Sequence, residues 1–220
     1  MKSFYEIGLP LSDKVDHHRY DRFYPPFLES LRDQEFNMLE VGLGDGSYPP
    51  FIAGGGLKLW KEYFPHSYIY VIDIKEEGED DRSKIFKLDQ SKEEDLQYIV
   101  DNIPKCKFII DDGSHHPYHQ FITFIKLFEE LLEDGGVYII EDIECNYWNP
   151  KSNVYGYEIG HFNTLDYFKN TLDQINSEFS NKKNHLKIST VTFAHNCIII
   201  TKQTPEEANI SNRNYRFKQY

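Results

Sequence analysis

The stretch Phe108–Asp142, FIIDDGSHHPYHQFITFIKLFEELLEDGGVYIIED, decides the fold. It begins and ends with short apolar runs. The segment between them, 117–136, has the apolar spacing of a long helix, with proline in its first turn and glycines at its end. A strand, a helix and a second strand in this order form a unit whose strands lie parallel. The stretch therefore predicts a parallel sheet, and its first strand leads directly into two carboxylates and two histidines.

The same alternation extends in both directions from this unit. Upstream, strands are predicted at 35–42, 68–74 and 84–91, with helices at 56–64 and 92–103. Downstream, a helix at 162–179 leads into a hairpin of 185–193 and 195–202. We expect an α/β fold in which a mostly parallel sheet finishes with an antiparallel C-terminal hairpin.

Length, charge and composition restrict the classes of protein to which this chain can belong. The chain has 220 residues, and we expect a single domain at 1–204 and a polar, loosely held tail at 205–220. A formal net charge of −12 disfavours a nucleic-acid partner. Long apolar runs and a signal peptide's apolar stretch are missing, which predicts no membrane partner and a cytoplasmic location. Cys106, Cys145 and Cys197 are far apart, which predicts reduced, packed thiols.

Polar residues or glycines stand where each predicted strand ends, at the edge where open α/β sheets bind ligands. In chain order they are Glu40 with the turn Gly42/Gly44/Gly46, then Asp73, Asp89–Gln90, Asp111–Asp112 and Glu141–Asp142.

The glycine turn does not match the dinucleotide-binding fingerprint. Ser47 replaces the third glycine, and Pro49 and Pro50 prevent a helix from starting there, which disfavours a nicotinamide or flavin dinucleotide. The turn is either an ordinary flexible loop or a thin backbone against which a nucleoside lies. In the second case Asp73 would bind the ribose hydroxyls, and otherwise it is a turn residue.

The motifs LEVGLGDG, GGGLKLWKEYFP, YVIDI, LDQS, FIIDDGSHH and LFEELLEDGGVYIIEDIECNYW resemble the class I S-adenosylmethionine-dependent methyltransferases. Within that class the chain is most similar to the metal-dependent sugar O-methyltransferases that act on macrolide deoxysugars. The resemblance runs from about Asp13 to Trp148. It implies a Rossmann-like fold with a seven-stranded sheet whose last strand is antiparallel, which agrees with the predicted hairpin.

The resemblance also implies a role for each matching residue. S-adenosylmethionine would be held by Lys14, Glu40, Gly42, Gly44, Asp73, Ile74, Asp89, Gln90 and Asp111, and residues 1–34 would cover the active site. Asp112 and Asp142 would bind Mg²⁺. Pro25 stands where the family has a third acid, so Glu29, one turn later, is the expected substitute. His115 would be the general base, and Asp112 would share in catalysis.

The chemistry of O-methylation fits these residue types. A sugar hydroxyl is a poor nucleophile until it loses its proton, and Mg²⁺ on oxygen ligands lowers the pKa of a bound hydroxyl. An imidazole with an ordinary pKa of about 6.5 can accept that proton at neutral pH. Purely structural roles also stay open for these residues and their neighbours. His115 would cap the helix beginning at Pro117, and Asp142 would be a turn residue. His116 and His119 would be surface or packing residues. Tyr147–Trp148 would be core aromatics rather than a wall for a sugar ring.

The expected function is methyl transfer from S-adenosylmethionine to a hydroxyl of a sugar or glycan precursor, in a surface polysaccharide or a glycosylated natural product. The alternatives are a non-sugar small molecule, a phosphorylated or phosphoramidate-bearing glycan intermediate, a nicotinamide-dependent oxidoreductase and a non-catalytic cofactor-binding scaffold. Assembly into a homo-oligomer is left open.

Overall fold

An eight-stranded sheet runs through the computed structural model, which describes residues 1–44, 46, 53–180 and 182–211. Its strands follow the order β3-β4-β2-β1-β5-β6-β10-β9, and β7 pairs with β8 in a separate hairpin. The strands are β1 Asn37–Val41, β2 Tyr68–Asp73, β3 Gly78–Glu79, β4 Ser83–Lys87, β5 Cys106–Asp111, β6 Leu132–Glu141, β7 Asn153–Val154, β8 Tyr157–Glu158, β9 Ile188–Ala194 and β10 Cys197–Lys202.

The helices cover both faces of this sheet. They are α1 Phe4–Gly8, α2 Asp13–Asp16, α3 Pro25–Leu28, α4 Gly55–Tyr63, α5 Glu93–Asn102, α6 Pro117–Glu130, α7 Thr164–Lys169, α8 Leu172–Ile175, α9 Ser177–Ser180 and α10 Pro205–Ser211. Short 3₁₀ helices lie at Tyr20–Arg22, Glu29–Leu31 and Ile143–Tyr147.

The strand directions confirm the predicted fold. The central strands β4, β2, β1, β5 and β6 run parallel, and β10 pairs antiparallel with both β6 and β9. These seven strands form the predicted sheet, and the two-residue β3 extends its edge antiparallel to β4. The fold is thus a Rossmann-like methyltransferase fold with an antiparallel C-terminal hairpin.

Alternation along the strands divides the buried side chains between two cores. Met38 of β1 and Ile110 of β5 point to the core under the N-terminal helices and α4, whereas Leu39 and Ile109 point to the core under α5, α6 and α7. Each fully buried Leu, Ile or Phe contributes about 1.5–3 kcal/mol of transfer free energy. The central strands are buried on both faces, which explains why they are apolar runs rather than alternating ones.

Two predicted helices differ from the observed ones. Helix α6 ends at Glu130 instead of 136, because Leu131 caps it and Leu132 begins β6, where it pairs with Cys106 of β5. The predicted helix 162–179 is three short helices. The side chains of Asn170 and Asn176 bond the carbonyls of Asp166 and Leu172, which ends each helix locally.

The expected loose tail begins with a capped helix. The Thr204 N–H donates to Glu207 at 2.8 Å and the Glu207 N–H donates to the Thr204 hydroxyl at 3.2 Å, a reciprocal cap at the start of α10. Residues 212–220 lie outside the described part. None of the described helices is both long and apolar enough to span a bilayer.

All three cysteines are buried and free, as packed thiols are expected to be. Burial raises the pKa of Cys106 and Cys197 well above the usual thiol range, and it raises the pKa of Cys145 to about 12.

Candidate active site

The glycine turn after β1 ties three strand ends together. Gly42 has a φ of +90°, and a Cβ there would overlap the backbone carbonyl of Asp112, so only glycine fits. The Gly42 N–H donates to Ile72 at 2.8 Å, and the Asp112 N–H donates to Val41 at 2.9 Å. A Cβ on Gly44 would meet none of the described atoms within 4 Å. Ser47, Pro49 and Pro50 lie outside the described residues.

Asp73 holds the glycine turn from β2. Its Oδ2 accepts from the Leu43 N–H at 3.0 Å, and its Oδ1 accepts from the N–H groups of Lys75 and Glu76 at 2.8 and 3.0 Å. Among the described residues Oδ2 accepts this one bond, and a carboxylate oxygen can accept a second. Ile74 beside it is exposed. Asp73 is thus a turn residue that retains capacity for a ribose hydroxyl, and this role stays a prediction.

Three predicted cofactor residues make hydrogen bonds within the protein. Asp111 is fully buried on the α6 side of the sheet, where Gln90 donates to it at 3.1 Å and the Gly113 N–H donates at 3.3 Å. Gln90 also accepts from the Ser114 N–H at 2.6 Å, so its amide is committed to the protein. Asp89 accepts from the backbone and hydroxyl of Ser91. The cofactor roles of Asp89, Gln90 and Asp111 stay predictions.

Asp112, His115 and Asp142 converge at the ends of β5 and β6. One ligand atom from each lies within 4.8 Å of the other two. His115 Nε2 is 3.7 Å from Asp142 Oδ2. His115 has a φ of +56°, a conformation that turns its ring out of the path of the chain toward the acids. The residue that caps α6 is His116, so the capping role considered for His115 does not apply.

Asp142 is turned into the site by the backbone after β6. Its φ is +51°, and its Oδ1 accepts from the Tyr20 hydroxyl at 2.7 Å and from the Asn196 amide at 2.9 Å. His18 Nδ1 lies 3.5 Å from the same oxygen. Oδ1 is therefore held by the protein, and Oδ2 faces His115.

Lys14 of α2 is buried among carboxylates. Its ammonium ion-pairs with Asp112, lies 2.5 Å from Glu141 and lies 3.9 Å from Glu40. Glu141 also accepts from the Tyr24 hydroxyl at 2.6 Å. Glu40 accepts from the Trp60 indole at 3.0 Å, while its Oε2 is buried without a partner among the described residues.

The electrostatics of this cluster show an excess of acid. Burial raises the pKa of Glu40 to about 7, and burial with the neighbouring acids raises the pKa of Glu141 well above its usual value. Burial alone would raise the pKa of Asp112 and lower that of Lys14. Their mutual attraction outweighs this effect, so the pKa of Asp112 is lowered and that of Lys14 is raised. Among the described residues, acids exceed cations at this site, so the site favours the binding of a further cation.

Glu29 is not part of the group, which corrects its expected role as a metal ligand. Its carboxylate is exposed and accepts from Arg32 at 3.1 Å and from the Tyr63 hydroxyl at 2.7 Å. Pro25 begins α3, and its helical turn carries Glu29 toward α4 rather than toward the ends of β5 and β6.

Glu141, Tyr20 and Asn196 are site residues that the sequence did not assign. The sequence signal for Glu141 was the pair of acids ending VYIIED. Tyr20 belongs to the segment His17–Tyr20 that the resemblance placed over the active site, whereas no pattern marks Asn196, whose contact with Asp142 spans 54 residues.

An aromatic hairpin lies beside His115. The turn of β7–β8 carries Tyr155, whose ring centroid is 5.7 Å from the His115 ring, and Tyr155 is 71% exposed. Tyr147 and Trp148 in the preceding segment are 74% and 42% exposed, so they are not core aromatics.

The residues at this site suit both Mg²⁺ and S-adenosylmethionine, the two groups that the resemblance implies. Two carboxylates in a cluster with excess acid suit Mg²⁺, which prefers oxygen ligands. The open space at Gly44 and the unpartnered Glu40 oxygen suit a cationic cofactor with N–H donors.

Comparison with known proteins agrees with this geometry. The chain is 33% identical over 146 residues to 8-demethyl-8-alpha-L-rhamnosyl tetracenomycin-C 2'-O-methyltransferase of Streptomyces olivaceus, covering 66% of this chain and 38% of that protein. It is 34% identical over 133 residues to mycinamicin VI 2''-O-methyltransferase of Micromonospora griseorubida, covering 60% and 33%. No protein-family model matches the chain.

A solved structure extends the similarity to the whole fold. MycE methyltransferase from the mycinamycin biosynthetic pathway, in complex with Mg and SAH, superposes with a TM-score of 0.79 at 25% identity, over 92% of this chain and 54% of that one. The chain thus spans about a third of the length of the curated relatives it matches and about half of this structure. The chain is similar in sequence to sugar O-methyltransferases, and it has the class I S-adenosylmethionine-dependent methyltransferase fold.

Proposed function

We propose that this chain transfers the methyl group of S-adenosylmethionine to a hydroxyl of a sugar, in a glycosylated natural product or a glycan precursor, with the assistance of a divalent metal. The observation that carries the proposal is the convergence of Asp112, His115 and Asp142 at the ends of β5 and β6. The relatives named above methylate sugar hydroxyls, and a MycE complex contains Mg, SAH and mycinamycin VI. The absence of nucleic-acid and membrane partners, a cytoplasmic location and self-association stay predictions.

Each residue has a defined task in the transfer. Asp112 and Asp142 would hold Mg²⁺, which when bound attracts the acceptor oxygen and lowers the pKa of its hydroxyl. His115 accepts the hydroxyl proton on an imidazole nitrogen. The acceptor oxygen then forms a bond to the methyl carbon while the bond from that carbon to the sulfonium sulfur breaks, and sulfur keeps the electron pair. The remaining work of the protein is to align the two substrates.

We also propose that residues 1–34 form the cover of the active site within a methyltransferase domain of residues 1–204. Contacts from three parts of this segment support the proposal, since Lys14, His18 and Tyr20 all reach the acids at the ends of β5 and β6. The residues that stay predicted to surround S-adenosylmethionine are Lys14, Glu40, Gly42, Gly44, Asp73, Ile74, Asp89, Gln90 and Asp111.

Calorimetry and an acceptor screen test the proposed function. We expect S-adenosylhomocysteine to bind and NAD not to bind. With isotopically labelled S-adenosylmethionine, we expect label to pass to deoxyhexose glycosides in the presence of Mg²⁺, to stop in EDTA and to resume when Mg²⁺ is restored. Full activity in EDTA would refute the metal role. Cofactor binding without transfer to any glycoside or phenol would indicate a scaffold.

A further inference from the structure

We propose that the β7–β8 hairpin is the acceptor platform of this chain and that Tyr155 at its tip is the residue on which the sugar ring stacks beside His115. The inference rests on the proposed function and deepens it by naming a residue that determines acceptor binding.

The conformation of Tyr155 is the first argument. Tyr155 and Gly156 form a two-residue turn with φ values of +46° and +91°, between Val154 and its partner Tyr157. Turns of this kind favour asparagine followed by glycine, and a bulky side chain in the first position meets steric hindrance. Tyr155 is also 71% exposed, so its side chain offers surface to a ligand. A strained and exposed aromatic residue beside reactive groups points to a ligand.

The position of the ring is the second argument. Its centroid lies 5.7 Å from the His115 ring at an interplanar angle of 51°, so the two rings form adjacent walls of a corner. A sugar whose hydroxyl reaches His115 would therefore place its ring over Tyr155. The negative face of an aromatic ring attracts the weakly positive C–H groups of a sugar's apolar face. Tyr147 and Trp148 add exposed aromatic surface to the segment before the hairpin.

The hairpin is also held firmly, as a platform must be. Val154 is buried in a small cluster with Cys145 and Ile159. His116 Nε2 lies 2.9 Å from the Glu158 carbonyl, which joins β8 to the residue after His115. The distance between Tyr155 and His115 is therefore set by contacts on both sides of the hairpin.

The charge of the surroundings selects the chemical class of the acceptor. The corner is bordered by the carboxylates of Asp112 and Asp142, and Glu158 lies on the hairpin itself. Glu158 would repel a phosphate carried on a sugar at the hairpin, whereas the proposed Mg²⁺ would offset the charge of Asp112 and Asp142. A neutral ring with one apolar face and free hydroxyls fits, as in a deoxyhexose glycoside.

The substitution Tyr155→Asn tests the platform without weakening the turn, because asparagine is well suited to a positive φ. We use the full chain with Mg²⁺, labelled S-adenosylmethionine and methyl α-L-rhamnopyranoside as the acceptor probe. Tyr155→Asn is expected to unfold at a temperature no lower than wild type, while its KM for the glycoside rises at least tenfold. Tyr155→Trp is expected to keep the KM within threefold. Tyr98→Ala, which removes an exposed tyrosine of α5, is the control and is expected to leave the KM unchanged.

Separate measurements distinguish failure of this inference from failure of the proposed function. Binding of S-adenosylhomocysteine is measured for each variant by calorimetry and is expected to change less than twofold. A Tyr155→Asn enzyme whose acceptor KM stays within twofold of wild type would overturn the platform while leaving the methyltransferase intact. The platform is also overturned if the loaded wild type binds no glycoside in an NMR titration. Wild type that fails to bind S-adenosylhomocysteine would overturn both.

Discussion

At the scale of single residues, the site depends on side chains whose direction is set by unusual backbone angles. His115 and Asp142 both have positive φ values, and these angles bring them together although they leave two different strands. Such angles cost about 1–2 kcal/mol for a residue with a Cβ, and they persist because the surrounding contacts compensate for them. For Asp142 these contacts come from Tyr20 and Asn196.

We expect His115→Ala to lower kcat by about 100-fold to 10,000-fold, the usual contribution of a general base. Affinity for S-adenosylhomocysteine should change little, because the base acts on the acceptor. Steady-state kinetics and calorimetry measure the two effects. His185→Ala, at an exposed position, is the control. If His115→Ala loses cofactor binding as well as activity, His115 is structural.

The stability of the protein at acid pH should depend on His119. Burial and the neighbouring His116 lower the pKa of His119 to about 4. The unfolded chain binds this proton below about pH 6.5 and the folded chain only below about pH 4. The free energy of unfolding therefore falls as the pH falls through this interval, by about 2 kcal/mol once partial solvent screening is allowed for.

His119→Asn removes this titration and keeps a polar group for the Ser114 hydroxyl, which lies 3.0 Å from His119 Nδ1. Urea denaturation at pH 4.5 and pH 7 should show a smaller difference for the variant than for wild type. An equal difference in the two proteins would assign the acid sensitivity to other groups.

At the scale of elements, the turn after β1 joins the sheet to the predicted cofactor site. Gly42 and Gly44 share a positive φ, but only a Cβ on Gly42 would overlap another strand. We expect Gly44→Ala to cost about 1–2 kcal/mol from its backbone angle alone. Gly42→Ala should cost more than 3 kcal/mol, because β1 and β5 must separate, a loss in the range of severe core changes. Thermal denaturation of the pair measures the difference, and equal losses would contradict the close approach.

At the scale of the whole molecule, Lys14 couples the N-terminal segment to the sheet. We expect Lys14→Met to lower the free energy of unfolding by about 3–5 kcal/mol, because its carboxylate partners stay buried without their cation. The melting temperature should fall by on the order of 10 °C, and Mg²⁺ should restore part of it, since the metal supplies the missing positive charge. Lys2→Met, which removes an exposed pair with Glu62, is the control. A Lys14→Met protein as stable as the control would show that the cluster tolerates the loss.

The sequence alone was sufficient to predict the features that repeat along the chain or that depend only on neighbouring residues. Apolar runs predicted the central strands, and the acids that follow them predicted the edge where Asp112 and Asp142 meet. Alternation along β5 could have separated Asp111 from Asp112, because neighbouring residues of a strand face opposite sides.

The remaining site residues depend on contacts that no local pattern carries. Glu29 was expected from its spacing after Pro25, yet the turn of α3 gives it Arg32 and Tyr63 as partners. Asn196 reaches Asp142 only because the last hairpin returns beside β6. Such packing is decided by the whole chain rather than by a segment of it.

The place of β10 between β6 and β9 also constrains how the chain is made. Synthesis on the ribosome completes β6 at Glu141, but its neighbour in the sheet begins only at Cys197. Throughout the translation of residues 142–196, the hydrogen-bonding edge of β6 faces the cell unpaired, and β9 cannot protect it because β9 lies one position further out. The nascent protein therefore passes through a stage in which a central strand is open to wrong partners, and chaperones that bind extended chains would act at that stage.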